Sequence, residues 1–325
     1  MTEVAAARSV SPSTLATARG HAADRAFAWS ARGAGLLVMA LVTLIGVFLL
    51  WQAIPSLRAN EASFLTSREW ELNAAVPRFG IADLLWTTVS ASLWAMTLAV
   101  PLGVCVALFI TQYAPDWLRT PAAALVDLLA AVPSIVYGLW GLIVLRPVLA
   151  PVETWLAHTL GWFPLLAPTA ITGGTIFFIG VVLAVMILPI VTAISREVFA
   201  ATPVPHREAA LALGATRWEM IRTAVLPYGR PGVVSAAMLA LGRALGETIA
   251  VTFIVSTLAP GSPFTASLFN GGETFASRIA NNAAEFDSPR KTGAFIAAGL
   301  VLFILTFVVN AIARVVVDRR KAFTE

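Results

Sequence analysis

Charge is what this sequence has least of. Of its 325 residues only 12% are charged, while 58% are hydrophobic; an ordinary globular chain carries roughly 25% charged residues. Mean hydropathy is +0.82. The apolar residues fall in long charge-free runs, which excludes a water-soluble protein with a large core. Lysine is almost missing: Lys291 and Lys321 are the two lysines among 22 basic residues. Both follow arginine, and a Walker A loop requires Gly-Lys, so the chain cannot hold a P-loop of its own. Cys105 is the single cysteine, which excludes an internal disulfide. His21, His158 and His206 are scattered, without metal-ligand spacing. No nucleophile–base pair or His–acid constellation appears in the apolar runs, which argues against an intramembrane enzyme.

What is present are six apolar runs, at 33–54, 84–114, 121–145, 171–195, 231–258 and 292–313. Each reaches the ~20 residues that cross ~30 Å of hydrocarbon at 1.5 Å per residue. The expected fold is an all-α integral membrane protein with six transmembrane helices. One six-helix domain covers 33–316, residues 1–32 form a disordered cytoplasmic tail, and 317–325 form a second cytoplasmic tail. Pro101 should kink the second run; Pro133 and Gly138 should bend the third. Gly161, Pro164, Pro168, Gly173 and Gly174 break up the stretch before the fourth run, which reads as a loop or a re-entrant piece. With six spans, 14 basic residues lie on the side of the termini and seven on the other, Arg243 being inside a span. The positive-inside rule then puts both termini in the cytoplasm of a multi-pass plasma-membrane protein. Trp70, Trp155 and Trp162 fall outside, where they suit an interface or a partner surface.

The loop between the fourth and fifth runs, 205–227, reads as two short helices meeting at Gly214. Pro205 suits a first helical turn, REAALAL favours helix, and Gly214 supplies a left-handed stop. Thr216-Arg-Trp-Glu219 is a capping box that opens the second helix. So short a pair needs a surface to lie on, either its own membrane domain or a cytoplasmic partner. Trp218, Ile221 and Val225 recur at helical spacing as its candidate face.

The fifth run, in LGRALGETIA at 241–250, carries Arg243 and Glu247. Arg243 lies 12 residues after Pro231, hence about 18 Å along the helix, near mid-membrane. An arginine there costs about 2.5–3.5 kcal/mol on insertion scales. At i and i+4 the two charges are expected to share a helix face and pair. Gly242 and Gly246 stand at G-x-x-x-G spacing beside them, where another helix can approach. The pair either fixes helix register or forms a polar anion pathway in which an oxyanion displaces Glu247 from the arginine fork. Asp127, nearer the cytoplasmic end, is expected to pair with Arg217 or Arg222 or to stay hydrated.

Glu208-Ala209-Ala210, Gly214, Ala224 and Leu226-Pro227 resemble the EAA loop of ABC-importer permeases, with Ala224 where isoleucine is usual. DLLAAVPSIVYGLWG at 127–141, GRALGET at 242–248, FLTSREW at 64–70, VPLG and QYAP in and after the second run, and SLFNGG with SRIAN at 267–281 are similar to phosphate-importer permeases. The likeness is closer to the PstC type than to its partner type PstA. Gln112 and Asp127 depart from the acidic residue and the glutamate common there. The resemblance implies a type I ABC-importer permease architecture and a non-catalytic subunit taking up phosphate by alternating access. Arg243 and Glu247 would lie in the substrate pathway. Glu208, Ala209, Gly214, Arg217 and Trp218 would couple to the ATPase. The implied partners are a second, PstA-like permease, two ATPase subunits that hold ATP and Mg, an extracytoplasmic phosphate-binding protein and membrane lipid. No cofactor and no nucleic acid are implied for this chain. Another oxyanion, sulfate or molybdate, is the nearest alternative; a passive anion channel or secondary transporter is the next.

Overall fold

The structure is a computed structural model and describes residues 18–74, 76–169, 173–259 and 261–321. Helix α1 is Ala18–Ala59. Its portion through Leu50 belongs to one compact unit, and Trp51 begins the second, in which all other elements lie. The expected tail through residue 32 is helical from Ala18, and residues 1–17 lie outside the described part. After a two-residue antiparallel pair, β1 Trp70–Glu71 with β2 Arg78–Phe79, helix α2 runs Ala82–Leu108. It ends in a π-helical turn, Phe109–Tyr113. Helices α3 (Asp116–Ala130), α4 (Ser134–Trp140) and α5 (Arg146–Leu160) follow, the last two joined by a π-helical turn at Gly141–Leu145. Next come α6 (Ile176–Ala200), α7 (Val204–Ala212), α8 (Arg217–Met220), α9 (Leu226–Leu245) and α10 (Ile249–Ile254). Helices α11 (Phe275–Asn281) and α12 (Pro289–Lys321) complete the order. Helix α12 extends into the expected carboxy-terminal tail, of which residues 322–325 lie outside the described part.

Among the described residues six helices are long and apolar enough to cross a membrane, as expected. Such spans are helical because hydrocarbon offers no partner to a backbone N–H or C=O, and only a helix satisfies them within one segment. Their packing rests on small residues. Ala91, Ala95, Ala99 and Ala107 of α2 are fully buried, and Gly103 completes their four-residue repeat. That stripe lets α6 approach closely. Gly180 lies against Ala91 and Trp94, and Gly103 against Val191 and Thr192, so α2 and α6 run side by side in the same direction. Helix α9 runs the opposite way, with Gly229 against Phe199 and Gly232 against Val198.

Among the described residues three apolar clusters anchor the bundle. The largest joins Phe178, Val182, Met186 and Ile187 of α6 to α2, Tyr137 and the α9–α10 region. At the end that carries α7, here the loop end, Phe199 packs with Leu108, Met220, Ile221 and Val225. At the far end Ile81, Leu84, Phe275 and Ala298 pack with Trp70. The far-end segment 267–277 is buried throughout.

Four expectations need correction. The third run breaks at residues 131–133, where Pro133 cannot donate a helical hydrogen bond, and its continuous helix is Ser134–Leu160. The stretch before the fourth run, read as a loop or a re-entrant piece, is therefore helical up to Leu160; a short 3₁₀ turn, Pro164–Leu166, follows. The second loop helix does not stop at Pro227. It continues from Arg217 to Leu245, and the π-helical turn at Ile221–Val225, just before Pro227, is the local widening that lets a proline be carried inside a helix. The fifth run is not one helix: α9 ends at Leu245 and α10 starts at Ile249.

Candidate functional site

That last break sets the geometry around the two mid-span charges. Gly246 ends α9 with its N–H on Gly242 O at 3.3 Å. Glu247 then turns inward and is 8% exposed. Its Oε1 accepts the Ala250 N–H at 3.1 Å, capping the first turn of α10. The expected i, i+4 pair with Arg243 is not formed, because the two residues no longer share a helix. Arg243 is exposed on α9. Gly229 packs on Phe199 near the end of α6, and Arg243 lies 14 residues further on, about 21 Å by helical rise. That places the guanidinium level with the middle of α6. It is within electrostatic reach of the Tyr137 hydroxyl, which donates to Leu129 O at 2.8 Å across the third-span break. Helix α4 meets α10 at the same level: a Cβ on Gly138 would stand 2.9 Å from Ala250 Cα.

At the loop end, Gly214 has φ +85 and ends α7 as expected. The capping box is present. Thr216 Oγ1 accepts the Glu219 N–H at 3.3 Å, and the Thr216 N–H donates to Glu219 Oε2 at 2.7 Å. The candidate face divides. Ile221 and Val225 are fully buried against Phe199, whereas Trp218 stays 56% exposed. Glu208, Ala209, Gly214 and Arg217 are exposed with it, and Leu213 is 90% exposed. Asp127 pairs not with Arg217 or Arg222 but with Arg196, at 3.2 Å. This partner is 69 residues away in sequence, and only the packing of α3 on α6 reveals it.

Sequence reasoning passed over a third group. Arg146 Nη1 meets Glu153 Oε2 at 2.8 Å, both largely buried. Glu153 Oε1 accepts from Thr175 Oγ1 at 2.8 Å, and Thr175 caps α6. The pair borders a cavity of about 330 Å³ with His158, Thr169 and Phe269. Arg146 and Glu153 are seven residues apart, two helical turns, a spacing legible only where α5 is read as a helix. Further out, Arg278 pairs with Glu273 and lies over the Trp70 ring at 5.1 Å.

Residues 99–322 match the family described as binding-protein-dependent transport system inner membrane component. The phosphate transport system permease protein PstC 2 of Mycobacterium tuberculosis is 54% identical over 297 residues, covering 90% of this chain and 91% of that protein. PstC of Mycobacterium leprae is 55% identical over 274 residues, 83% and 85% of the two chains. PstC of Mesorhizobium japonicum is 38% identical over 310 residues, 93% and 92%. Among solved structures, the inward-facing MetNI methionine ABC transporter superposes with a TM-score of 0.51 at 18% identity, covering 74% of this chain and 94% of that one. A bacterial ABC transporter involved in alginate import gives 0.51 at 16%, covering 73% and 78%. These two establish the fold, that of type I ABC-importer permeases. The chain belongs to the binding-protein-dependent transport system inner membrane components and, within them, to the PstC-type phosphate transport system permeases.

Proposed function

We propose that this chain is a membrane-spanning permease subunit of an ATP-driven importer that takes up inorganic phosphate by alternating access. The observation that carries the reading is the exposed guanidinium of Arg243 at mid-span, beside a helix break and not neutralised by Glu247. Facing lipid, it would cost about 2.5–3.5 kcal/mol or more. A second, PstA-like permease covering that face removes the cost and leaves the guanidinium on a polar seam. The face is shaped for a close neighbour. Ser235, Leu239, Arg243 and Gly246 are exposed along one stripe, and nothing lies within 4 Å of the Cβ position of Gly242. A planar fork of N–H donors then meets a tetrahedral oxyanion through paired hydrogen bonds. The names of the PstC relatives favour phosphate over sulfate or molybdate.

The chain performs no covalent step and holds no cofactor. ATP and Mg belong to two separate ATPase subunits, which would grip the exposed surface of α7, the Gly214 turn and the start of α8, at Glu208, Ala209, Gly214, Arg217 and Trp218. An extracytoplasmic phosphate-binding protein would dock at the far end. The protein lies in the plasma membrane with both termini in the cytoplasm. A passive channel or secondary transporter leaves the exposed α7 surface without a use.

Phosphate uptake into proteoliposomes holding the assembled transporter tests this reading. Uptake should require ATP, and Arg243→Gln should abolish it while the complex stays assembled. Uptake without ATP, undiminished uptake in the variant, or equal competition by sulfate would each overturn it.

A further inference from the structure

Helix α10 is short, and both of its ends are tied. Glu247 caps the lower end, where the break beside Arg243 lies. The upper end is held two residues beyond Ile254, at Ser256. The Ser256 hydroxyl accepts the Gly174 N–H at 2.7 Å, and the Ser256 N–H donates to Gly174 O at 3.2 Å. On the other side Ser256 O accepts the Gly272 N–H at 2.9 Å. One residue is thus bonded to the lead-in of α6 and to the buried far-end segment together.

Glycine makes this approach possible. A Cβ on Gly173 would overlap Ser256 Oγ, one on Gly174 would overlap Ile254 O, and one on Gly271 would press on Ser256 O. Each glycine stands where the strand-like Ser256 segment needs the space. The Gly174 N–H is part-buried and answered by a side chain, so removing the hydroxyl leaves a donor in the seam without its partner.

We propose that Ser256 is a positioning residue for the anion site: held between Gly174 and Gly272, it fixes α10 and through it the Glu247 break beside Arg243. Helix α10 has less than two turns, too few to hold a conformation unaided. Its placement comes from its two tied ends and from the close contact of Ala250 with Gly138. Loosening the upper tie lets Glu247 and the break shift relative to Arg243. A site that must be ordered before it binds loses apparent affinity. The proposal rests on the reading of Arg243 as the anion-binding group.

Ser256→Thr and Ser256→Val have nearly the same shape and differ in the hydroxyl, so comparing them isolates the hydrogen bond. In the assembled transporter, Ser256→Val should raise the KM for phosphate about threefold or more over Ser256→Thr, the scale of one hydrogen bond, with Vmax changed much less. Amide exchange should quicken at both Gly174 and Ala250. Equal KM values, or faster exchange at Gly174 with Ala250 unchanged, would overturn the inference. Ser256→Ala, the smallest change, is followed by the same exchange measurement, which decides the question even where the valine variant fails to assemble. Wild type and Arg243→Gln run alongside. If wild type shows no ATP-dependent uptake, or Arg243→Gln keeps it, the functional reading fails; if both behave as expected and Thr equals Val, only the role of Ser256 fails.

Discussion

Replacing Glu247 in two ways separates the two roles a buried carboxylate can have at this position. With alanine, the acceptor of the Ala250 N–H is gone. Loss of a helix cap costs about 0.5–2 kcal/mol. Ala250 is fully buried, so its amide finds no water in compensation, and an unsatisfied buried donor costs about 1–3 kcal/mol. These describe the same lost bond and are not summed, which gives about 1–3 kcal/mol for Glu247→Ala. Glutamine keeps a carbonyl oxygen at the same reach and gives up only the charge. Glu247→Gln should therefore stay within about 1 kcal/mol of wild type, the difference between a charge-assisted and a neutral hydrogen bond. Thermal unfolding of the detergent-solubilised complex reads the ordering, and amide exchange at Ala250 reads it locally. If glutamine proves as damaging as alanine, the carboxylate is holding a cation and the capping account is wrong.

Gly214 and Arg146 give two further tests at the opposite ends of the bundle. At φ +85, Gly214→Val forces a β-branched residue into the left-handed region, at a cost of about 1–2 kcal/mol. Since Gly214 meets nothing within 4 Å, the strain falls on the loop and not on the core. Spans should still insert while co-purification of the ATPase drops; unchanged co-purification would show that the α7–α8 angle is irrelevant to docking. Arg146→Met leaves Glu153 buried without its cation and should destabilise the chain by about 3–5 kcal/mol, most of it recovered in Arg146→Met/Glu153→Leu. A double variant as unstable as the single one would show that Arg146 acts through its contact with the Phe178 ring, not through the ion pair.

The parts of the fold legible in the sequence are those set by local chemistry. Six apolar runs give six candidate spans because hydropathy and length alone decide them. Gly214 and the Thr216–Glu219 box appear as read because their partners lie within four residues. The fifth-span break was less visible. Gly246 is a possible helix stop and Glu247-Thr248 a possible start, yet in a long run of mostly apolar residues these signals are outweighed by hydropathy. Once the break is missed, the i, i+4 geometry follows wrongly. Asp127 with Arg196, and Ser256 with Gly174 and Gly272, depend on packing between distant segments, which no period within either segment encodes. The split of Trp218 from Ile221 and Val225 has the same origin: spacing put them on one face, and Phe199 buries only part of it.

The break has an electrostatic consequence for the anion site proposed at Arg243. Had the fifth span run on as one helix, Glu247 would have lain one turn from Arg243, and each charge would have offset the other. An incoming oxyanion would then compete with a tethered carboxylate at high effective concentration. With the helix broken at residues 246–248, the carboxylate is directed to the Ala250 N–H, which also needs a partner in an environment without water. The guanidinium loses an intramolecular counter-ion, and its fork is left open toward the subunit's exposed face. That arrangement is unfavourable for an isolated chain and would become favourable if, as proposed, a second permease closed over the stripe and an oxyanion entered the seam. The proposed seam would also account for the small residues beside the charge: Gly242 and Gly246 would let a covering helix come close enough to exclude lipid without filling the space in front of Arg243.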